Sequence, residues 1–338
     1  MLETVVHKGI RVGEDIKSFI DSQKDISVFQ SMYFHELNKR SDSTDGIVIT
    51  CKKSGKIAGI LTVQIQNNFG KALGMISNRA VITGGPYSLN NDSVVIEEIL
   101  REYGKYIRNK VVYTQVRRLY QNYDFTGLFL RNGYVYSDHL NYIIDLSKGE
   151  EECWKNLHSK RRNEVRKAIK EGISFSEIHY DTEMGSAYDI LKIIYGKARL
   201  PLPEAGFFDS AFEIMGKDGV LRIFGGYYEG KLIGVMYILC YKGVMYDWYA
   251  GSYPEYLKKC PNDLITWEVI KWGATNGYRT FDFGGAGSPD KEYGVRDFKK
   301  KFGGREINTG RFELAHKPSV MKLSKKGFRL WQIIWKRK

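Results

Sequence analysis

The sequence predicts a mixed α/β fold arranged as two tandem units. Three observations carry this reading. The chain has 338 residues, enough for two ordinary domains. Its hydrophobic patterning switches repeatedly between the period of a strand and that of a helix. The order hairpin, helix, strand also occurs twice, and "SGKIAGILTVQI" in the first half is answered by "EGKLIGVMYILC" in the second. Such a repeat marks an internal duplication; one continuous mixed sheet fits the same local signals. The boundary is expected near residue 146, with domains over 1–145 and 146–317 and a basic tail over 318–338.

Each element follows from local chemistry. "DIKSFIDSQ" reads as a helix. "DGIVITCKKSGKIAGILTVQIQ" is two strands about a Lys-Ser-Gly turn. "NDSVVIEEILREYGKYIRN" is a helix capped by Asp92 or Ser93, with Val95, Ile99, Tyr103 and Ile107 on one stripe. "KVVYTQVRRL" follows as a strand, "TGLFLRNGYVYS" as a short helix stopped at Gly133 and then a strand, and "LNYIIDLS" as another strand. In the second half, "EEECWKNLHSKRRNEVRKAIKEGISFSEI" is a helix halted at Gly172, then a strand, and "SAYDILKIIYGKA" is helical. Three strands follow, turning at Glu229-Gly230 and Lys242-Gly243. The next helix takes Asn262 or Asp263 as its cap, ends at Gly277 and leads into the strand "FDF".

Composition narrows the function. The formal net charge is +13 and the pI about 9.3. A surplus of this size points to an anionic partner: nucleic acid, a nucleotide or a membrane surface. Cys51, Cys153, Cys240 and Cys260 form no CxxC pair, and no HExxH or His/Cys spacing builds a zinc site. Metal catalysis is disfavoured, and no bound cofactor is expected. The N-terminus is too polar for a signal peptide and no apolar run spans a bilayer, so a cytoplasmic location or the inner face of the membrane is expected. The tail carries Val320, Leu323, Leu330, Trp331, Ile334 and Trp335 on one helical face among many basic residues. Such a helix lies in a membrane interface or packs back on the body.

Three basic stretches are candidate anion sites. In "FDFGGAGSPDKEYGVRDFKKKFGG", Gly284 and Gly285 follow a strand directly, which allows either close ligand approach or a tight turn. The stretch matches neither a P-loop nor GxGxxG. If "FKKKF" is extended, Phe298, Lys300 and Phe302 share one face, and Lys299 and Lys301 the other, with Arg296 just before them. In "SKRRNEVRKAIKEG", Arg162, Arg166 and Lys170 line one helical face and Val165, Ala168 and Ile169 the opposite one. A basic face of this kind suits a phosphate backbone or plain solvent. Arg199 precedes the proline-constrained loop "LPLPEAGFF". No nucleophilic triad is visible, so an enzyme of this sequence would align two substrates and stabilise charge without a covalent intermediate.

Four stretches in order, "VFQSMYFHELN", "WKNLHSKRRNEVRKAIKEGISF", "YDWYAGS…PNDLITWEVIKWG" and "FDFGGAG…YGVRDFKKKFGG", resemble the Fem-type transferases, the peptidoglycan bridge-forming enzymes of the acetyltransferase-like (GNAT) superfamily. The likeness runs from about residue 28 to 315 and lacks the helical arm of some members. It implies two tandem GNAT-like domains, each a mixed, mostly antiparallel sheet flanked by helices, with the C-terminal segment folding back on the first. It implies transfer of an aminoacyl group from aminoacyl-tRNA to an amine of an anionic cell-envelope precursor. It also implies roles for Phe298 and Lys299 in the acyl-transfer region and for Arg199 on the acceptor's phosphates. One departure stands out: Asn38, followed by Lys39, occupies the position where precursor-binding members carry a lysine. The [RQ]xxGx[GA] loop of coenzyme A users is also missing, which argues against ordinary acyl-CoA as donor.

The expected mechanism is direct attack of an amine on the acyl carbonyl. Lys299 is expected to stabilise charge, Asp247 or Asp282 to take the amine proton, and Arg162, Arg166 and Arg199 to hold phosphates. Phe298, Arg296, Lys301, Tyr249, Gly284 and Gly285 complete the expected substrate site. A structural role fits both aspartates as well. Two other readings stay open at this point: a CoA-dependent N-acyltransferase acting on an amino sugar in surface polysaccharide assembly, and a non-catalytic binder of RNA or anionic lipid.

Overall fold

A computed structural model describes residues 1–67, 77–119, 124–178 and 180–323. The chain divides into two compact units, Met1–Asp138 together with the chain from Thr309, and His139–Asn308.

The first unit runs β1 (Leu2–His7), α1 (Glu14–Ser22), α2 (Met32–Arg40), β2 (Thr44–Lys53), β3 (Lys56–Gln66), β4 (Arg79–Thr83), β5 (Tyr87–Ser88), α3 (Ser93–Ile107), β6 (Tyr113–Arg117), α4 (Thr126–Arg131) and β7 (Val135–Ser137). The second runs β8 (Leu140–Asp145), α5 (Gly149–Asn156), α6 (Ser159–Lys170), β9 (Ser174–Glu177), α7 (Tyr180–Ala198), α8 (Ala205–Met215), β10 (Leu221–Tyr228), β11 (Lys231–Tyr241), β12 (Val244–Ser252), α9 (Pro261–Thr275), β13 (Thr280–Gly285), α10 (Gly294–Lys300) and β14 (Arg305–Asn308). A last strand, β15 (Arg311–Ala315), returns to the first unit.

The two sheets share a plan. The first has the order β1-β2-β3-β4-β6-β15-β7, with β5 paired to β3; the second has the order β14-β8-β13-β12-β11-β10-β9. Each contains one parallel pair, β4 with β6 and β12 with β13, joined by a crossover helix, α3 or α9. All other pairings are antiparallel. Both hairpins form as their turn residues dictate: Ser54-Gly55 and Glu229-Gly230 all take positive φ. The stripe Val95, Ile99, Tyr103 and Ile107 of α3 is fully buried, and Asp92 Oδ1 caps the helix by accepting from the N–H groups of Val94 and Val95.

The sequence-expected edges at 145/146 and 317/318 move. β8 pairs with β13 and β14, so the second unit begins at His139. β15 lies between β6 and β7, with Phe312 buried and stacked on Phe129 at 4.7 Å, so residues after 308 complete the first sheet. Strand partnership is non-local, and a strand two residues after β7 or β14 carries no local mark of which sheet it will enter. Seven elements lie outside the sequence expectations: β1, α2, β4, β5, β14, β15 and α8, the last of which replaces part of the expected proline loop. The helix α9 is capped by Cys260, not by Asn262 or Asp263, with Pro261 in its first turn. In "FKKKF", Phe298–Lys300 close the helix α10 and Lys301 and Phe302 follow in a turn, so the stretch is not extended. The tail beyond residue 323, where the amphipathic helix is expected, lies outside the described residues.

Candidate active site

The parallel ladder of β12 and β13 pairs Val244 with Thr280, Met245 with Phe281 and Tyr246 with Asp282, and there it stops. Past this point β12 stays with β11 through a bulge at Trp248. β13 instead bulges toward β8, where Gly285 pairs with Asn141. The two strands therefore part beside Asp247 and Gly284. Parallel pairs with a crossover helix bind ligands where such strands separate at their carboxyl ends. Gly284 is required at the fork: its φ is +67°, and a Cβ there would lie 2.9 Å from Tyr246 Oη.

The first unit keeps the corresponding ladder closed. β4 and β6 pair over five residues to Thr83 and Arg117, and Gly84 N–H donates to Arg117 O. Gln30, from the "FQS" motif, is buried beside this end. Its amide donates to Thr62 O and Thr83 O and accepts from Thr62 N–H, stapling β3 to β4. Asn38 is likewise buried, with Oδ1 accepting from Gln64 Nε2 at 2.7 Å, and Lys39 pairs with Asp45 at 2.6 Å. These side chains serve the fold of the first unit.

At the fork of the second unit three charged groups meet. Lys299, half-buried on α10, donates from Nζ to Phe283 O and to Gly285 O at 3.1 Å. Asp282 is buried, and its Oδ1 accepts from Asn141 Nδ2 and Gly284 N–H, each at 2.7 Å. Burial raises the Asp282 pKa against those hydrogen bonds and the Lys299 charge. Burial pushes Asp247 up to about 6, opposed by Lys299 and reinforced by Asp282. The Lys299 ammonium is lowered by burial and upheld by both carboxylates. Lys299 thus has two of its three donors on main-chain carbonyls and one left over. Asp247 lies close to neutrality, where a carboxylate can take up and return a proton.

Tyr195 shares its surroundings with Asp247 and three further tyrosines. Burial raises the Tyr195 hydroxyl on α7, and Tyr249, Asp247, Tyr293 and Tyr246 add to the shift, so all five groups share one electrostatic neighbourhood. The rings of Tyr195 and Tyr249 stand 5.6 Å apart. Of the sequence-expected site, the structure brings together Lys299, Asp247, Asp282, Tyr249, Gly284 and Gly285. Arg199 sits four residues after Tyr195, half-buried, with φ of +54° at the end of α7. Tyr195, Tyr246, Tyr293 and Asn141 were not foreseen. Asn141 had a usable signal, since it is a polar residue inside the apolar strand "LNYIID".

Other expected residues make different contacts. Phe298 packs on Phe302 at 5.0 Å beneath the Arg161 guanidinium, as part of the core. Arg296 donates to Ser288 O at 2.6 Å and to Lys291 O, bracing the loop before α10. Arg162 donates to Lys155 O and Leu157 O at the end of α5. Arg166 lies over Trp154 at 5.5 Å, and the Lys301 carbonyl accepts from His158 N–H at 2.9 Å. The buried stripe of α6 is Arg161, Val165 and Ala168, while Ile169 is 57% exposed. Apolar periodicity assigns Ile169 to the core; the paired and stacked Arg161 takes that phase instead. Among the described residues no cluster of three His, Cys, Asp or Glu is arranged to hold a metal, and no helix is long and apolar enough to cross a membrane.

Residues 159–300 match the acetyltransferase (GNAT) domain family. No curated protein matches the chain. Among solved structures, the chain is similar to FemX at 15% identity, covering 95% of this chain and 99% of that one, with a TM-score of 0.70. It is similar to the C-terminal domain assigned to a lysylphosphatidylglycerol synthetase from Agrobacterium fabrum at 11% identity, covering 92% and 94%, with a TM-score of 0.59. It is also similar to a tandem GNAT protein from the clavulanic acid biosynthesis pathway at 9% identity, covering 94% and 99%, with a TM-score of 0.59. Residues 159–300 of the forked second unit carry the GNAT domain match, and the whole chain shares its fold with FemX and with a tandem GNAT protein; this protein is an acyltransferase with two tandem GNAT-like units.

Proposed function

We propose that this acyltransferase moves an aminoacyl group from aminoacyl-tRNA to an amine of an anionic cell-envelope precursor, and that the reaction takes place at the β12–β13 fork. The observation that carries this reading is the meeting of Asp247, Asp282 and Lys299 at that fork. The acceptor enters as an ammonium and loses a proton to Asp247. Its nitrogen attacks the acyl carbonyl, a C–N bond forms, and the tetrahedral oxyanion is met by the remaining Lys299 donor. Collapse breaks the ester C–O bond; Asp247 returns its proton to the departing ribose oxygen, then takes the second proton from the nitrogen and releases it to solvent as the neutral amide leaves. Asp282, held by Asn141 and Gly284, fixes the field around Lys299 and takes no proton from substrate. Arg199 and Tyr249 flank the acceptor side. The name of one structural neighbour, which pairs lysyl with an anionic lipid, supports an aminoacyl cargo and an anionic acceptor.

The start of α9 favours tRNA over coenzyme A as donor. A helix N-terminus cradles phosphate through free N–H groups. Here Pro261 brings no N–H, and the first-turn carboxylate of Asp263 is already paired with Arg161. The alternative, a CoA-dependent N-acyltransferase acting on an amino sugar, is favoured by the acetyltransferase domain match alone. The test is a paired donor assay with charged tRNA or acyl-CoA and a panel of amines. Amide product with charged tRNA is expected; product with acyl-CoA alone overturns the donor assignment. Lys299→Ala is expected to lower turnover roughly 100-fold with little change in melting temperature.

A further inference from the structure

We propose that Arg161 is a positioning residue for Lys299. This rests on the role given to Lys299 above and adds how its ammonium is held at the fork. Arg161 is 8% exposed and lies at the start of α6, outside every contact assigned to substrate. Its Nη1 donates to Asp263 on α9 and to Glu164 at 2.6 Å. Its Nε has no hydrogen-bond partner among the described residues. A buried guanidinium with an unused donor is costly as mere glue. Its planar face supplies the other half of the arrangement, lying 4.5 Å from the Phe298 ring centroid and 5.7 Å from that of Phe302.

Phe298 and Phe302 bracket Lys299 in the chain and lie one helical turn apart on its core side. Phe302 N–H also donates to Lys299 O at 3.0 Å. Phe302 in turn packs on Phe283 at 5.6 Å, and Phe283 supplies one of the carbonyls that holds Lys299 Nζ. The same Nζ stands 6.0 Å from the Phe283 ring. A single run of contacts therefore links the two carboxylates, the guanidinium, two phenyl rings and the strand that receives the ammonium. The helix α10 has only seven residues and little stability of its own. Its pitch, and hence the reach of Lys299, is set by what lies beneath it. The flat guanidinium matters here, because a lysine would restore the charge without the stacked face.

The test compares Arg161→Met, Arg161→Lys and Phe298→Leu with the parent protein. Acetylation of individual lysines by acetic anhydride is followed by mass spectrometry from pH 6 to 11, with the exposed Lys300 as internal reference. In the parent, Lys299 should label more slowly than Lys300 and with a different pH midpoint. In Arg161→Met the two lysines should converge, and turnover per folded molecule should fall at least tenfold with both KM values within twofold. Arg161→Lys should not rescue either readout. A Lys299 labelling profile unchanged in folded Arg161→Met overturns the proposal. If that variant does not fold, Phe298→Leu, which keeps an apolar side chain in place, should give the same convergence; no change there overturns it equally. Should Lys299→Ala leave turnover intact, the catalytic reading of Lys299 falls, while the labelling arm still decides whether Arg161 holds it.

Discussion

At the fork, Asp247 carries a pKa near 6 because burial outweighs the attraction of Lys299. Two expectations follow, with opposite signs for function and stability. Turnover should rise as pH passes upward through about 6, when Asp247 becomes the base that accepts the amine proton, and Asp247→Asn should remove that limb and cost roughly 100-fold. Stability runs the other way. The folded pKa lies above the unfolded value of 3.8, so the folded state holds this proton more tightly. The contribution is fully present below pH 3.8 and is lost as pH rises through about 6. Asp247→Asn should therefore melt higher than the parent at pH 8 and close to it at pH 3.5. A lower melting temperature at pH 8 would mean that the charged form is held by more than the present contacts. Asp247 and Asp282 were singled out in the sequence as carboxylates in strands of the second half, whereas Lys299 was picked from its neighbouring lysines by the family resemblance. Tyr195 and Tyr293 were not legible, since each comes from a separate element and only tertiary structure brings them to Asp247. Arg161 was not singled out, for a physical reason: a cation in a buried stripe is invisible to apolar periodicity when carboxylates and rings supply its surroundings.

Among the elements, "FKKKF" shows how two periods share one pattern. Phenylalanines four apart fall on one side of a strand and also on one side of a helix. Glycines at 294, 303 and 304 bound a segment short enough for either. The packing of Phe298 and Phe302 against the core decides for helix, and the fork gains its ammonium as a result. The strand β15 makes the complementary point. Its local pattern is ordinary, yet it supplies hydrogen bonds to both β6 and β7 and buries Phe312 against Phe129. Phe312→Ala should destabilise the protein by about 3–5 kcal/mol in denaturant titration. A loss under 1 kcal/mol would show that the first sheet holds together without this contact.

Over the whole molecule, the two units repeat one architecture but only the second opens its parallel pair. The duplicated plan was readable from the matched hairpins, because turn residues and alternation are local. The unit edges were not, because they depend on pairing between strands far apart in the chain, such as Phe281 with Ile144 and Arg311 with Arg117. The second unit is contiguous over 139–308, whereas the first needs the chain on both sides of it. Expressed alone, residues 139–308 should fold with dispersed amide signals in NMR spectra, and residues 1–138 should not. Well-dispersed spectra from 1–138 would mean that β6 and β7 close on each other without β15.

The place of β15 also sets an order of events on the ribosome. Residues 1–138 emerge first, yet their sheet keeps an open edge at β6 until the chain has passed residue 315. The later-made second unit can close as soon as Asn308 is clear. The half synthesised first is thus the half finished last. For nearly two hundred residues of synthesis it presents bare strand edges and an empty slot for Phe312, the kind of surface on which nascent chains misassociate and chaperones act.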